Sequence, residues 1–304
     1  MFETPILFLI FNRPKATEKV FNAIRKVQPK QLFIAADGPR LDKLEDIKRC
    51  EQTRSVVKKI DWPCEVKTLF RTDNLGCGKA VSQAISWFFT HVEEGIILED
   101  DCLPNRSFFD FSAIMLEKYR NNDQIMHISG TNHLFNTKLT PLNNTYFFSA
   151  FSSVWGWATW RRAWSMYDFD IHDWKNSEQY TTHRFLNQSF RALLHEEFSN
   201  VATQKTDTWD WQWIFCIQKH NGLCITPMVN LVSNIGWDGT HYQAVHPHHF
   251  MPTVELNKET LSHPSEKNID FQLDAQNLER RQHYKKPSFK SRIYNKFLRI
   301  WYAK

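Results

Sequence analysis

Three consecutive carboxylates, Glu99, Asp100 and Asp101, are the residues of this 304-residue chain that are best suited to binding a metal ion. They directly follow residues 95–98, an apolar run that predicts a buried strand. Open α/β sheets bind ligands at the carboxyl ends of their strands. Neighbouring carboxylates repel one another, and a hard cation such as Mn²⁺ or Mg²⁺, shared with a diphosphate, would relieve that repulsion. An acidic turn or helix cap before Asn105 is the alternative interpretation.

Further polar residues follow the three earlier predicted strands. If the strands are parallel, these residues lie on the same rim of the sheet as the three acids. An arginine there can bind a phosphate with two hydrogen bonds, and carboxylates or amides can hold a ribose or a base edge. The pattern predicts a nucleotide-diphosphate pocket, although each residue alone is also typical of a turn. The residues at these strand ends are Asn12, Arg13, Asp37, Arg71, Asp73 and Asn74.

Two tryptophan-rich segments contain a candidate catalytic base. Trp155 and Trp157 lie in the first segment, and Trp209 and Asp210 lie in the second. A tryptophan ring can stack on the face of a sugar, and a carboxylate among apolar groups keeps enough basicity to accept a hydroxyl proton. The segments therefore favour a sugar acceptor site, with core packing as the alternative role for each tryptophan.

Other motifs limit the possible classes of nucleotide-binding protein. The run from Gly76 to Lys79 is followed by Ala80, so it is not a Walker A motif, and the first turn has no GxGxxG. His241 follows a predicted strand and could be a neutral imidazole ligand of the same metal, although a lone histidine is also commonly structural. The six cysteines have no CxxC spacing, which favours a reducing cytoplasm.

The elements that must position these residues alternate between strand and helix over the first 130 residues. This order predicts an α/β fold in which helices flank a mostly parallel sheet. The second half is less regular, and residues 243–287 predict loops. Strands are predicted at residues 5–11, 32–36, 66–70, 95–98, 146–151 and 225–232. Helices are predicted from Pro14, over 41–60, after Gly78, and over 158–166, 184–198 and 209–220.

Charge is distributed unevenly along the chain. The composition, 42% hydrophobic and 23% charged, is typical of a globular protein. The net charge is +5, but nine of the 38 Lys and Arg residues and none of the 33 acids fall within residues 280–304, which leaves −4 for the remainder. A uniformly basic nucleic-acid footprint is therefore excluded, and no nucleic-acid partner is expected.

The basic C-terminal segment predicts an amphipathic helix. Apolar residues fall on one helical arc and cations on another, as in helices that rest on an anionic membrane surface. A helix docked on the protein body is the alternative. No apolar run is long enough to span a bilayer, so we expect a cytoplasmic protein that can lie on the inner face of the cell membrane. The residues concerned are Phe289, Ile293, Phe297, Ile300 and Trp301, with Arg292, Lys296 and Arg299 opposite.

Taken together, these residues resemble GT-A glycosyltransferases that use nucleotide sugars, most specifically bacterial relatives of the N-acetylglucosaminyltransferase I group. The resemblance covers residues 5–245 and depends on the order and spacing of short motifs. Glu99-Asp100-Asp101 stands in the position of the DXD metal motif of that family. The other motifs are the run from Ile10 to Pro14, Asp37-Gly38, Gly156-Trp157, Trp209-Asp210-Trp211 and Thr240-His241.

The resemblance implies a fold and a set of donor-site roles. The fold would be GT-A, a Rossmann-like sheet with an aromatic-rich acceptor-side half. Arg13 and Asp37 would contact the nucleotide, Glu99 and Asp100 the ribose and its neighbours, and Asp101 the metal, Mn²⁺ or Mg²⁺. Phe11 would line the donor site with the strand-end residues named above, and His241 would be a further metal ligand.

The resemblance also implies the reaction. Asp210 would be the base of an inverting transfer from a nucleotide-diphosphate sugar, with UDP as the expected nucleotide, to a glycan or lipid-linked saccharide. Trp155, Trp157 and Trp209 would contact that acceptor. Trp211 stands where the family has a second acid, so Asp207 is the alternative base. The family's basic donor loop is replaced here by residues 76–78, which points to a different donor sugar.

These expectations divide the chain into three parts and leave two other functions open. Residues 1–130 would form the nucleotide-sugar-binding half, residues 131–245 the acceptor-binding and catalytic half, and residues 246–304 a C-terminal extension. The first alternative is a carbohydrate- or nucleotide-sugar-binding protein without catalysis. The second is a sugar nucleotidyltransferase, which would have a Gly-rich basic loop where this chain has Asn12-Arg13-Pro14.

Overall fold

The computed structural model of the chain describes residues 1–134, 144–177, 183–236 and 251–285. The strands are β1 (Ile6–Ile10), β2 (Gln31–Ala36), β3 (Glu65–Phe70), β4 (Glu94–Glu99), β5 (Cys102–Pro104), β6 (Ile125–Ser129), β7 (Tyr146–Ser149), β8 (Trp157–Trp160), β9 (Leu223–Pro227) and β10 (Val232–Asn234). The α-helices are α1 (Pro14–Val27), α2 (Leu44–Val56), α3 (Gly76–His91), α4 (Arg106–Tyr119), α5 (Arg161–Trp164), α6 (Trp174–Ser177), α7 (Gln188–Ala202), α8 (Asp210–Lys219) and α9 (Phe271–Lys285).

The main sheet has eight strands in the order β3-β2-β1-β4-β8-β6-β9-β7. Strands β3, β2, β1 and β4 are parallel to one another, and β6 and β9 form a further parallel pair. Strand β8 runs antiparallel between β4 and β6, and β7 is antiparallel to β9. Strands β5 and β10 form a separate antiparallel pair beside the sheet. The expected α/β class with a mostly parallel, Rossmann-like sheet is confirmed.

Strand β1 shows why the first half folds as it does. All five of its residues are buried, and alternate side chains enter the hydrophobic clusters on the two faces of the sheet. Phe8 packs in the cluster that contains Phe21 of α1, whereas Leu9 packs in the cluster that contains Phe88 of α3. Because both faces are covered, the strand is a continuous apolar run. Its carboxyl end therefore opens onto the rim that the polar turns occupy.

The second half departs from the predicted elements in two places. The helix predicted over residues 158–166 is shorter than expected, because residues 157–160 form strand β8 at the centre of the sheet and helix α5 covers only Arg161–Trp164. Trp157 and Trp160 lie on opposite faces of that strand and fill the two hydrophobic clusters, so burial of both rings favours the extended backbone. The predicted strand 225–232 is divided between β9 and β10.

The C-terminal region contains a helix where loops were expected. Helix α9 packs beside β7, and Asp274 on this helix accepts hydrogen bonds from the Ser149 hydroxyl and the Ala150 amide. Leu278 enters the hydrophobic cluster that also contains residues of α7 and α8. The expected division at residue 246 stays a prediction. In the described parts of the chain, no helix has the length and apolar character that crossing a bilayer requires.

Candidate functional site

A cleft of about 260 Å³ lies at the carboxyl ends of β1, β2 and β4. Its floor is made of small or aliphatic side chains, including Leu9, Ala35, Ala80 and Ala84. An apolar floor with a few polar groups around it is typical of small-molecule sites. Seven residues predicted to bind a donor line the cleft, namely Phe11, Arg13, Asp37, Arg71, Asn74, Glu99 and Asp100.

One arginine joins two of the three consecutive acids. Arg13 Nη1 donates to Asp100 Oδ1 at 3.0 Å and to Asp101 Oδ2 at 2.7 Å. The Phe11 amide also donates to Asp100 Oδ2, at 3.1 Å. Side-chain exposure is only 9% for Arg13, 5% for Asp100 and 13% for Asp101, so water screens these charges poorly. The acids are not a helix cap, because Asn105 itself caps α4 by accepting from the Phe108 amide.

The electrostatics at this corner favour additional positive charge. Burial raises the pKa of Glu99 well above its usual value, and the neighbouring Asp101 and Asp100 raise it further. Burial also raises the pKa of Asp100 to about 6, although Arg13 opposes the change. Among the residues that the structure describes, the one guanidinium of Arg13 therefore compensates the three carboxylates incompletely. A second cation would lower the free energy of the ionised cluster.

The oxygen ligands of this corner fit a divalent cation that is shared with a phosphate. Mg²⁺ is commonly bound by one or two carboxylates together with substrate phosphates, and Mn²⁺ also accepts carboxylate oxygens. Asp101 is such a ligand if Arg13 moves away from it. Within the residues that the structure describes, no three His, Cys, Asp or Glu side chains converge as a metal site. His241 lies outside the described residues.

Asp37 fixes the loop that leads into α3. Its carboxylate accepts hydrogen bonds from Asn74 Nδ2 at 3.0 Å, from the Leu75 amide at 3.0 Å and from the Gly76 amide at 3.2 Å. Partial burial raises the pKa of Asp37. Asp37 and Asn74 thus lie together at the cleft, as their positions after β2 and β3 predict. Their contact with each other shapes the cleft wall.

Arg71 lines the same wall and retains unused hydrogen-bonding capacity. Its Nη2 donates to Gln83 Oε1 at 3.2 Å. Its Nη1 is buried and has no hydrogen-bond partner among the described residues. A buried guanidinium nitrogen without an acceptor is costly, so a ligand oxygen at this position would be favourable. Arg71 is therefore a candidate donor-binding residue on geometric grounds.

Asp73 and Asn12 do not line the cleft. The Asp73 side chain is exposed, and its backbone oxygen accepts from the Gly38 amide at 3.2 Å. A side chain at Gly38 would collide with the backbone of Thr72 and Asp73, so glycine permits this close approach. Asn12 is buried behind the cleft wall. The donor contacts expected of these two side chains stay predictions, as do the roles expected of Asp101 and Asp210, which the cleft lining likewise does not include.

The buried Asn12 belongs to a group that sequence analysis missed. Asn12 Nδ2 donates to Asp46 Oδ1 at 2.7 Å, and Arg40 Nη2 donates to the same oxygen at 3.0 Å. Asp46 is almost fully buried, and hydrogen bonding from Arg40 lowers its pKa. Held in this way, the Arg40 guanidinium lies 5.6 Å from the centre of the Phe11 ring and lines the cleft. Asp46 thus positions the cationic side chain of Arg40 at the cleft.

We expect Asp46→Asn to weaken the binding of UDP. The neutral amide cannot hold the Arg40 guanidinium with two charge-assisted hydrogen bonds, so Arg40 loses its fixed position over Phe11. A roughly tenfold rise in the Kd of UDP is expected, equivalent to about 1.4 kcal/mol. Isothermal titration calorimetry measures it, with the exposed Asp42→Asn as the matched control. Equal Kd values for the Asp46→Asn and Asp42→Asn proteins would refute the role of Asp46.

Asp207 caps helix α3 from a distant part of the chain. Its Oδ2 accepts from the Cys77 amide and its Oδ1 from the Gly78 amide, both at 2.8 Å. A carboxylate at a helix N-terminus satisfies free amides and complements the helix dipole. A Cβ atom at Gly78 would lie 2.6 Å from the Thr208 oxygen, so the close contact depends on glycine there. Because both oxygens of Asp207 are engaged, the residue is better suited to holding α3 than to accepting a proton.

Asp210 differs from Asp207 in that the described residues engage only one of its two carboxylate oxygens. It is the first residue of α8, and its Oδ1 accepts from the Thr208 hydroxyl and from the Trp211 amide. Its Oδ2 accepts no hydrogen bond from any of the described residues. Burial, followed by the charges of Glu99 and Asp210, raises the pKa of the Cys77 thiol, which lines the cleft. The charge of Asp210 therefore acts on Cys77, a residue of the cleft wall.

Two of the three tryptophans expected to bind an acceptor are in the core. Trp157 is fully buried, and it stacks on Trp209 with ring centres 5.7 Å apart and on His127 at 5.0 Å. Trp209 is also buried. Burial leaves neither ring a face for a sugar, so the expected acceptor contacts of Trp157 and Trp209 are corrected to packing. Trp155 is only half-buried and stays a candidate.

The buried His127 gives this core a pH dependence. Its Nδ1 accepts from Trp213 Nε1 at 3.1 Å, and its Nε2 lies 3.0 Å from the Ser153 oxygen, an arrangement that the neutral ring satisfies with its proton on Nε2. Burial lowers the pKa of His127 from 6.5 to about 3. Between these pH values the unfolded chain binds a proton that the folded protein does not. The free energy of unfolding therefore decreases as the pH falls from about 6.5 towards 3.

We expect His127→Gln to flatten this dependence. The substitution removes the titrating group, so up to about 1.4 kcal/mol per pH unit of slope is lost between pH 6.5 and 4. Urea unfolding at a series of pH values gives the free energy of unfolding of each protein. The contributions of the acids are common to both proteins and cancel in the difference. Parallel pH profiles for wild type and variant would show that His127 is not the group responsible.

Comparison with known proteins gives only distant likenesses. No protein-family model matches the chain, and no curated protein matches it. Similar solved structures include a cytidylyltransferase from Leptospira borgpetersenii (12% identity, 73% of this chain and 95% of that one, TM-score 0.35). They also include mouse xyloside xylosyltransferase 1 (9% identity, 72% and 82%, TM-score 0.31). HddC from Yersinia pseudotuberculosis is 12% identical at a TM-score of 0.29, and the match spans 41% of this chain and only 57% of HddC.

Proposed function

We propose that the protein is a nucleotide-sugar glycosyltransferase of the GT-A type, related to the N-acetylglucosaminyltransferase I group. The donor is a nucleotide-diphosphate sugar, with UDP as the expected nucleotide, and the acceptor is a glycan or lipid-linked saccharide. The observation that carries the proposal is the cleft at the strand ends, which has an apolar floor between a polar wall and a buried acidic corner. These surroundings match the base, the ribose and the diphosphate of one ligand.

The polar wall would recognise the nucleoside. Arg71 Nη1 lacks an acceptor among the described residues and can donate to a ribose or base oxygen. The Arg40 guanidinium, positioned by Asp46 beside Phe11, adds a cationic planar group next to the apolar floor. Planar guanidinium and aromatic groups favour stacking of a flat base between them. The small side chains of Ala35, Ala80 and Ala84 leave room for that ring.

The acidic corner would bind the diphosphate together with Mn²⁺ or Mg²⁺. Asp101 is the proposed carboxylate ligand, and phosphate oxygens complete the coordination. When bound, the cation would act as a Lewis acid that neutralises charge on the departing nucleoside diphosphate. Arg13, a neighbour of Asp101, can share in that neutralisation through hydrogen bonds to phosphate oxygens.

Asp210 would take the proton from the acceptor hydroxyl. Thr208 and the Trp211 amide hold its Oδ1, which leaves Oδ2 to receive the proton. The hydroxyl oxygen then attacks the anomeric carbon from the side opposite the diphosphate, so the bond to the phosphate breaks with inversion of configuration. Trp155 would contact the acceptor. The basic segment 286–304, which lies outside the described residues, would bring the enzyme to an anionic membrane that carries a lipid-linked acceptor.

The proposal is tested by a thermal-shift screen followed by a turnover assay. UDP, GDP and CDP are each added with Mn²⁺, and a ligand that binds only the folded protein raises the Tm by mass action. We expect UDP to give the largest rise. Turnover is then sought with UDP-sugars and saccharide acceptors, and separately with UTP and sugar phosphates. Release of pyrophosphate from UTP, without sugar transfer, would identify a nucleotidyltransferase and contradict the proposal.

A further inference from the structure

Arg13 lies where a cation shared by Asp100 and Asp101 would lie. A single nitrogen, Nη1, donates to both carboxylates, at 3.0 Å and 2.7 Å. Both acids are buried at the turn that follows β4, and the Phe11 amide holds the second oxygen of Asp100. A positive group that bridges two carboxylates in this way uses the same oxygen atoms that a divalent cation would use. The two cations therefore cannot both occupy this position.

The backbone next to Asp101 limits how its carboxylate can turn away from Arg13. The Ile235 amide donates to the backbone oxygen of Asp101 at 2.8 Å, which holds the following residue against the acid. A Cβ atom at Gly236 would collide with Asp101 Oδ2. The carboxylate thus has the Gly236 backbone on one side and Arg13 on the other. A cation that binds Asp101 Oδ2 must replace the arginine contact.

We propose that Arg13 occupies the cation position of the empty enzyme and moves to the donor diphosphate when a divalent cation binds Asp101. This inference rests on the proposed function and adds to it a positioning role for one residue. The exchange keeps every charge paired. The acids exchange a guanidinium for a divalent cation, and the guanidinium exchanges a carboxylate for a phosphate, to which its fork of donors is equally suited. Arg13 lines the cleft, so a diphosphate bound there is within its reach.

The exchange makes the binding of cation and nucleotide interdependent. Without nucleotide, a cation must displace Arg13 from two buried carboxylates, and its affinity is low. With nucleotide present, the diphosphate offers Arg13 a new partner, and the affinity for the cation rises. By linkage, the cation raises the affinity for the nucleotide by the same factor. Removing the guanidinium should therefore increase the affinity for the cation only in the absence of nucleotide.

The test is the affinity of the nucleotide-free protein for Mn²⁺, measured by electron paramagnetic resonance of the free ion. We expect Arg13→Gln to bind Mn²⁺ about tenfold more tightly than wild type, within the usual range of site coupling. The matched control is Arg49→Gln, which removes an exposed arginine of α2 that does not line the cleft and should leave the affinity within about twofold of wild type. We also expect UDP alone, without metal, to bind Arg13→Gln more weakly than wild type.

Equal or weaker Mn²⁺ binding by Arg13→Gln would overturn the inference, as would the absence of Mn²⁺ binding from every protein. Loss of Arg13 leaves buried acids unpaired, which destabilises the fold. If Arg13→Gln does not fold, Arg13→Lys provides the comparison. The lysine side chain is about one bond shorter, so its ammonium lies farther from the two carboxylates that Nη1 contacts and pairs with them less closely. The expected Mn²⁺ affinity therefore again exceeds that of wild type, and an affinity no higher would overturn the inference. Failure of the proposed function is a separate result, because it is the absence of sugar transfer by the wild-type protein.

Discussion

Asp210→Asn is expected to lower the rate of sugar transfer by roughly 10²- to 10⁴-fold, the contribution that a positioned general base makes. The amide has the shape of the carboxylate, and its oxygen can still accept from Thr208 and from the Trp211 amide. It cannot take the proton that the proposed mechanism delivers to Oδ2. Single-turnover rates with the donor identified in the screen measure the loss. The Kd of UDP should stay at the wild-type value, because the substitution leaves the nucleotide pocket intact.

Asp207→Asn is the matched control for that experiment. Both oxygens of Asp207 accept backbone amides of α3, so the expected change is a loss of about 1 kcal/mol in the free energy of unfolding, as for other helix caps. The rate of transfer should fall far less than in Asp210→Asn. If Asp210→Asn keeps the wild-type rate and Asp207→Asn loses it, the assignment of the base is wrong and Asp207 takes that role.

Asp101→Ala is expected to reduce transfer roughly a thousandfold, equivalent to about 4 kcal/mol of transition-state stabilisation. The substitution removes the proposed cation ligand and with it the charge neutralisation of the leaving diphosphate. Asp100 remains as a partner for Arg13, so the fold should persist. The initial rate is measured against Mn²⁺ concentration, and circular dichroism checks the fold.

The control for Asp101→Ala is Asp73→Ala, because Asp73 is an exposed carboxylate in the turn after β3 and accepts a hydrogen bond from Thr72, whereas Asp101 accepts one from Arg13. Its rate and its Mn²⁺ dependence should match those of wild type. An Asp101→Ala protein with an unchanged Mn²⁺ half-saturation concentration would exclude Asp101 as the metal ligand.

The sequence predicts the location of the cleft well, for a physical reason. Residues that directly follow parallel strands must meet at one edge of the sheet, whatever the packing elsewhere. Asp37, Arg71 and Glu99 follow three such strands, and all three line the cleft. Strand β1 is equally predictable, since its apolar run has no polar face to expose.

Contacts between distant segments are what the sequence does not predict. Asp207 caps a helix that begins about 130 residues earlier, and neither segment carries a local pattern that indicates the pairing. Asp46 lies in the first turn of a highly charged helix, where an exposed acid is the ordinary expectation, yet it is buried against Arg40. Trp160 was expected in a helix because the spacing of aromatic residues does not separate a helix from a strand. Burial of side chains on both faces of the sheet favours the strand here.

The proposed mechanism depends on a divalent cation that joins Asp101, next to the cleft residue Asp100, to a nucleotide diphosphate. Crystals grown with UDP and Mn²⁺ and measured at the manganese absorption edge test it most directly. We expect an anomalous peak about 2.1 Å from an oxygen of Asp101 and from diphosphate oxygens, with Arg13 turned to the phosphate. UDP bound with no such peak, and with Arg13 still bridging Asp100 and Asp101, would contradict it.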